Sequence, residues 1–341
     1  MSRERPILVT GATGFIAGHV ISELLRHGYD VRATVRDSSR ADVDHLRAVA
    51  REEGYAFDLV EASLDADDGW SEALRGAIAV IHVASPLPKS RPRDPDEVIR
   101  PAVDGTERVL RAAIAAGAER VVMTSSIAAV LGGHDLRDGR VRTEEDWSIV
   151  ERCEPYEASK TLAERAAWEV AAGSELELVT ICPGFVLGPL QRAGTNTSMD
   201  VVDQLLARTI PAMPHMGFSV VDVRDVAIAH RLALEKVKAA GHRYIVAGDA
   251  TWLSEIAEIL AAEYRPRGYR VPTAELPAFV VRAGALVNPS LRLAVPLLDQ
   301  PILVSSARAR GELGWRRRPM RETVIDAAES LIAFGRAPGR R

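Results

Sequence analysis

The sequence predicts an α/β fold: a doubly wound parallel sheet with helices on both faces and a smaller C-terminal part added to it. Two observations predict the sheet. Short apolar runs alternate with helical stretches from residue 7 to residue 182, the pattern of a parallel sheet buried on both faces. The first of those runs ends in a glycine turn that opens a helix. A third observation predicts the added part. Segments 190–217 and 251–335 are irregular, Pro-interrupted and partly helical, with one intervening strand at 243–247, so they cannot extend the sheet regularly.

Taken in order, Ile7-Leu8-Val9-Thr10 is the first strand, followed by Gly11-Ala12-Thr13-Gly14-Phe15-Ile16-Ala17-Gly18 and a helical pattern to His27 and Gly28. This is the setting of a dinucleotide site. Gly11 permits the tight turn, and Gly14 lets the backbone approach a pyrophosphate. The small Ala17 lets the helix pack close to the strand, while the helix N-terminus faces the anion. The spacing is GxxGxxA rather than GxGxxG, and a purely structural turn is the other reading. Residues 31–36 form the second strand. An acid at its end bonds the ribose of NAD, whereas Arg accommodates the 2′-phosphate of NADP. Arg36 is followed by Asp37, which leaves both open; Arg40 offers a second cation, and NADPH is favoured over NADH.

The alternation continues as a helix at 41–53, a strand at 57–61, a short helix near 69–74 and a buried strand at 78–83. A long helix at 95–116 precedes Arg120-Val121-Val122-Met123-Thr124-Ser125-Ser126. Ligands of such sheets sit at the carboxyl ends of the strands, where Thr10, Ala84 and Ser126 lie. A sixth strand, 176–182, runs into Pro183-Gly184-Phe185-Val186-Leu187-Gly188-Pro189. Val220 to Ala227 is read as the start of a helix containing His230. Its His, Asp and Arg cluster is expected to be a cap and ion pair. Met213, His215, Met216 and Phe218 fit a pocket lining or simple core equally well.

Between the fifth and sixth strands, Tyr156-Glu157-Ala158-Ser159-Lys160 opens a strongly helical run over 156–172. Residues four apart share a helix face, so the phenol and the ammonium can point at one place. A phenol titrates near pH 10 alone, and a cation beside it is expected to lower that value. The pair then gives a proton to, or takes one from, a carbonyl or alcohol oxygen. With only four lysines and six tyrosines in the chain, such a pair arises by accident about 0.07 times, well below the rate at average lysine usage.

The remaining composition excludes several classes. A net charge of −4 and a pI near 6.1 give no electrostatic footprint for nucleic acid or an anionic membrane. Arg316-Arg317-Arg318 and Arg340-Arg341 read as solvated surface. Cys153 and Cys182 make neither a disulfide framework nor a metal-ligand pattern, and Cys182 reads as a buried, inert thiol. Met1 to Pro6 shows no apolar signal segment and no stretch approaches a membrane span, so a cytoplasmic protein is expected.

The chain resembles the extended short-chain dehydrogenase/reductases, in the dihydroflavonol 4-reductase, cinnamoyl-CoA reductase and aldehyde/ketone reductase group. The resemblance is carried by VTGATGFIAGHV, VRATVRD, HVASP, RPAVDGTERVLRAA, VVMTSSIAAV, YEASK, CPGFVLGP and VVDVRDVA, and is densest over 6–190 and 217–250. It implies a Rossmann-type domain at 1–189, rejoined by 217–250. A smaller substrate-binding domain would comprise 190–216 and 251–335, with a tail at 336–341. It implies NADPH-dependent, reversible reduction of a small aldehyde or ketone, with no nucleic-acid or membrane partner, by a monomer or homodimer. Tyr156 would protonate the carbonyl oxygen, Ser126 polarise it, and Lys160 hold the nicotinamide ribose. Cofactor contacts would come from Gly11, Thr13, Gly14, Phe15, Ile16, Arg36, Arg40, Val83, Ala84, Ser85, Thr124, Tyr156, Lys160, Pro183, Gly184 and Val186. Ser63-Leu64 stands where many relatives carry Asp-Leu at the adenine. The plant substrates do not transfer, because the insertions that shape those sites are not recognisable here. An NAD-dependent nucleotide-sugar epimerase or dehydratase and a non-catalytic NADP-binding regulator are the alternatives. Dehydratases place Asp-Glu where this chain has Ile127-Ala128, and regulators typically lose the Tyr or Lys.

Overall fold

The computed structural model describes residues 5–86, 94–194, 197–286 and 295–337. The first half of the chain forms β1 (Ile7–Val9), α1 (Phe15–Arg26), β2 (Val31–Val35), α2 (Asp44–Glu53), β3 (Phe57–Glu61) and α3 (Trp70–Ala73). It continues with β4 (Ala79–His82), α4 (Asp96–Ala115), β5 (Arg120–Thr124), α5 (Ala128–Leu131) and α6 (Pro155–Ala172). Then come β6 (Glu177–Pro183), β7 (Phe185–Leu187), α7 (Thr197–Ala207), β8 (Met213–Pro214), β9 (Gly217–Asp222) and α8 (Val223–Glu235). The chain closes with β10 (Arg243–Val246), β11 (Ala250–Trp252), α9 (Leu253–Tyr264), β12 (Glu275–Leu276), α10 (Ala278–Gly284) and α11 (Met320–Ala333).

Seven strands make one all-parallel sheet in the order β3-β2-β1-β4-β5-β6-β10. The chain winds outward from β1 to β3, returns to the centre, and winds the other way from β4. The order therefore reverses between β1 and β4, the crevice in which open α/β sheets bind ligands. Both faces are covered, which is why the strands read as unbroken apolar runs. Ile7 and Val9 enter a core with Val20, Leu24, Leu46 and Val226 from α1, α2 and α8. Leu8, between them, enters the opposite core with Val80, Leu110, Val121, Ala163 and Ala167. The alanines at 163, 167 and 171 give α6 a flat face against α4. Pro155 starts α6 at a position that needs no N–H donor, and the Glu154 N–H donates to the Glu157 carboxylate at 3.0 Å.

A second sheet, β11-β9-β7, pairs β7 parallel and β11 antiparallel to β9. Val220, Val221 and Asp222 are thus the end of a strand rather than the start of a helix. The boundary falls there because the Asp222 carboxylate caps α8, accepting the Arg224 N–H at 2.8 Å. Leu187, Met199, Leu206, Met213, Leu260, Tyr264, Val324 and Leu331 form a separate core for this additional C-terminal region, as befits a substrate-binding subdomain. Met213 belongs to that core. The basic run at 316–318 is not simply solvated: Arg317 pairs with Asp249, and Arg318 donates its backbone N–H, at 2.6 Å, and its guanidinium to the buried Asp225. A carboxylate removed from water needs such donors. Among the described residues no helix is long and apolar enough to cross a membrane.

Candidate active site

The glycine turn closes over the end of β1. Gly11 has φ +78°, and a Cβ on it would stand 3.0 Å from Ala84 Cβ, so only glycine suits this approach of the β1 and β4 ends. The Gly11 and Ala12 N–H groups donate to Thr34 Oγ1 and O at 3.1 and 2.9 Å. Gly14 precedes α1, whose first turn carries no side-chain cap and no acid. The helix therefore presents its N–H groups and dipole at Phe15 and Ile16 to an anion. The Thr10 hydroxyl accepts the N–H groups of Val83 and Ala84 at 3.0 and 2.9 Å, so its proton goes to His82 Nδ1 at 2.9 Å. Burial, aided by the charge of Lys160, pushes His82 down to about 3, and it stays neutral. This fixes the backbone of Val83-Ala84 beside the turn and leaves Ser85 exposed.

At the end of β2 the ambiguity between acid and base resolves geometrically. The Asp37 carboxylate accepts from Ser39 N and Oγ at 3.0 and 2.6 Å and lies 3.4 Å from Arg40 Nε. Glu61, ending β3, accepts from Ser38 N and Oγ at 2.8 and 2.6 Å, which lowers its pKa. Both acids are engaged, while Arg36 is exposed with no side-chain partner among the described residues. The rim offered to a ligand is cationic. Beyond β3, the Ser63 hydroxyl accepts the Asp65 N–H at 3.3 Å. Leu64 packs so closely on α4 that a Cβ at Gly105 would meet its own Cβ at 2.9 Å.

Past β5 the two serines diverge. Ser125 is buried and donates to Glu164 Oε2 at 2.5 Å. Ser126 accepts the Ala128 N–H at 3.1 Å and lies beside the Tyr156 phenol, whose pKa it lowers. Burial raises that phenol and the Ser126 contact offsets part of the rise; Tyr156 remains 37% exposed, and solvent tempers the effect further. The sequence predicts that Lys160 depresses the tyrosine. In the structure the lowering influence is Ser126, and the Lys160 ammonium acts instead on His82 at the end of β4 and on Glu164 of its own helix. Burial brings Lys160 down to about 8, with the Glu164 charge opposing.

Other sequence candidates take structural positions. The Thr124 hydroxyl bonds His230 Nε2 at 2.7 Å, and His230 Nδ1 donates to the Val226 carbonyl at 2.8 Å. Burial holds His230 near 4, so it is a neutral strut, and only the main chain of Thr124 is left for a ligand. Pro183 ends β6, its carbonyl accepting the Ile127 N–H at 3.0 Å. A Cβ at Gly184 would stand 2.2 Å from Ser219 O, which explains the glycine. The Val186 side chain lies in the sheet core. Cys182 is buried and its thiol is pushed up. Sequence reasoning missed Glu164, fully buried on α6, which accepts from Ser125, from Thr180 Oγ1 at 2.7 Å and from Arg243 Nε at 2.7 Å. Its one signal was its place a helical turn after Lys160 among alanines.

Residues 7–247 match the NAD dependent epimerase/dehydratase family. The chain belongs to that family. It is 33% identical over 341 residues to cinnamoyl-CoA reductase 2 of Medicago truncatula, covering 98% of this chain and 94% of that one. It is 35% identical over 268 residues to tetraketide alpha-pyrone reductase 1 of Arabidopsis thaliana, covering 76% and 81%. The yeast methylglyoxal/isovaleraldehyde reductase solved with NADPH is similar at a TM-score of 0.79 and 26% identity, over 97% of this chain and 99% of that one. Within the family the chain is an extended short-chain dehydrogenase/reductase, an oxidoreductase related to the cinnamoyl-CoA and aldehyde/ketone reductases.

Proposed function

We propose that this protein reduces an aldehyde or ketone to an alcohol with NADPH, reversibly, and that Ser126, Tyr156 and Lys160 carry the reaction. The observation that carries the reading is the placement of Ser126 beside Tyr156 at the carboxyl end of β5, with Lys160 one turn further along the same helix. The residues present fit the cofactor. The glycine cradle, the uncapped start of α1 and the unpaired Arg36 suit a phosphorylated dinucleotide. Residues 1–189 and 217–250 would hold it, and 190–216 and 251–335 would shape the substrate pocket.

When bound, NADPH supplies the hydride. Tyr156 gives its phenolic proton to the carbonyl oxygen as the alcohol forms, and Ser126 donates a hydrogen bond to that same oxygen. Lys160, still cationic near neutrality, holds the ribose. The nucleotide-sugar alternative needs a free acid after β2, and Asp37 is committed to Ser39 and Arg40.

The test is loss of NADPH absorbance against aryl ketones, β-keto esters, aliphatic aldehydes and a dihydroflavonol, with NADH in parallel. Turnover of at least one carbonyl supports the reading; NADPH binding with no turnover, alongside conversion of a UDP-sugar, overturns it. Replacing Arg36 with Glu is expected to lower the NADPH-over-NADH preference about 10- to 100-fold, the worth of a charge-assisted contact. An unchanged ratio removes Arg36 from the 2′-phosphate.

A further inference from the structure

The segment after β7 lies across α1. His19 Nε2 donates to the Pro189 carbonyl, Gln191 Nε2 to Ser22 Oγ, and the Leu190 N–H to Ser330 Oγ of α11, each at 2.9 Å. Gly18 accommodates the crossing, since a Cβ there would stand 2.7 Å from Gln191 Oε1. Held in this way, Arg192 reaches back to the glycine turn and donates from Nη2 to the Thr13 carbonyl. Its Nη1 lies 3.8 Å from Asp42, an exposed carboxylate, and the side chain is 32% exposed. The charge is therefore placed without being neutralised at contact distance. The turn it touches rests on Thr34, two residues before Arg36, and Asp42 follows Arg40 closely in the chain. Arg192 is thus fixed on the glycine turn that rests on β2, the strand that Arg36 and Arg40 follow, and it comes from beyond the nucleotide-binding motifs.

We propose that Arg192 is a third cation for the 2′-phosphate of NADPH, so that the phosphorylated cofactor ties the segment after β7 to the glycine turn. This rests on the NADPH-dependent reading above. A wild-type chain that binds NADPH no better than NADH sinks that reading before any variant is made.

The experiment measures dissociation constants of NADPH, NADH, 2′,5′-ADP and 5′-AMP for the wild type, Arg192→Gln and Arg192→Lys. Glutamine removes the charge while keeping a polar side chain, and the unphosphorylated ligands register any loss of the contact with the Thr13 carbonyl. For Arg192→Gln, NADPH and 2′,5′-ADP are expected to weaken about tenfold, with NADH and 5′-AMP within about twofold. Arg192→Lys is expected to keep most of the preference for the 2′-phosphate. Equal losses for phosphorylated and unphosphorylated ligands would overturn the proposal, as would no loss at all. A lysine variant as impaired as the glutamine one would overturn it too, since charge would then not be what binds.

Discussion

Replacing Tyr156 with Phe will lower kcat by about 10²- to 10⁴-fold, the usual worth of a general acid, and leave NADPH affinity nearly unchanged. The substitution removes one hydroxyl and keeps the ring. In the structure that hydroxyl lies beside Ser126, whose own hydroxyl is separately held by the Ala128 N–H, so the serine keeps its place. Tyr156 is 37% exposed, and little stability depends on it. Losing kcat and kcat/KM together, with cofactor binding intact, is the signature of a group that acts only in the transition state. Lys160→Met should differ, weakening cofactor binding as well as turnover. Since burial brings Lys160 to about 8, it is cationic below that pH and loses its proton above it. The kcat/KM for NADPH, which reports on the free enzyme, should therefore decline as pH rises through about 8. Single-turnover assays of Tyr156→Phe with a competent carbonyl decide the matter: wild-type rates would place the proton donor elsewhere.

The sheet and the line of groups along its edge were legible because their signals are local. Apolar runs between glycine turns mark β1 to β6, and residues that follow strands, such as Gly11, Ala84, Ser126 and Pro183, fall at the carboxyl ends by connectivity alone. The second sheet was not legible. β7, β9 and β11 are short and pair across long stretches of sequence, and Val220-Val221-Asp222 runs into α8 with no break in hydrophobicity. Asp222 was the available signal, since an Asp before a periodic run marks an N-cap. The choice between Arg36 and Asp37 also depended on three dimensions, because only the turn at 38–40 shows the acid capping its own loop. Pairs such as Arg318 with Asp225 and Arg243 with Glu164 join residues far apart in the chain. No window of sequence contains both partners.

Glu164 is where the second large effect is expected. Its Oε1 accepts from Thr180 Oγ1 and Arg243 Nε, both at 2.7 Å, and its Oε2 from Ser125 at 2.5 Å and Arg243 Nη2 at 3.2 Å. Arg243 in turn donates to the Glu144 and Asp146 carbonyls and lies 3.7 Å over the Trp147 ring. With Trp168 Nε1 at 3.4 Å and Cys182 Sγ at 3.9 Å, six donors converge on a carboxylate with no solvent access. In Glu164→Gln, either placement of the amide turns an NH₂ toward three donors and leaves Arg243 buried without its paired carboxylate. Breaking a buried pair from one side costs about 3–5 kcal/mol, so the urea midpoint should fall markedly with little change in slope. Activity should fall as well, for a reason separate from folding. Ser125, released from Glu164, adjoins Ser126 in the chain, and Lys160 loses the negative charge that raises its pKa. The alkaline decline in kcat/KM should then begin at lower pH than in the wild type, measured at a temperature where the variant is fully folded. A stability loss below about 1 kcal/mol would mean water replaces the carboxylate. An unmoved pH profile would mean that Glu164 supports the fold but does not tune the lysine. A helix that packs with alanines also buries a carboxylate one turn from Lys160, which couples the stability of the fold to the charge of that lysine.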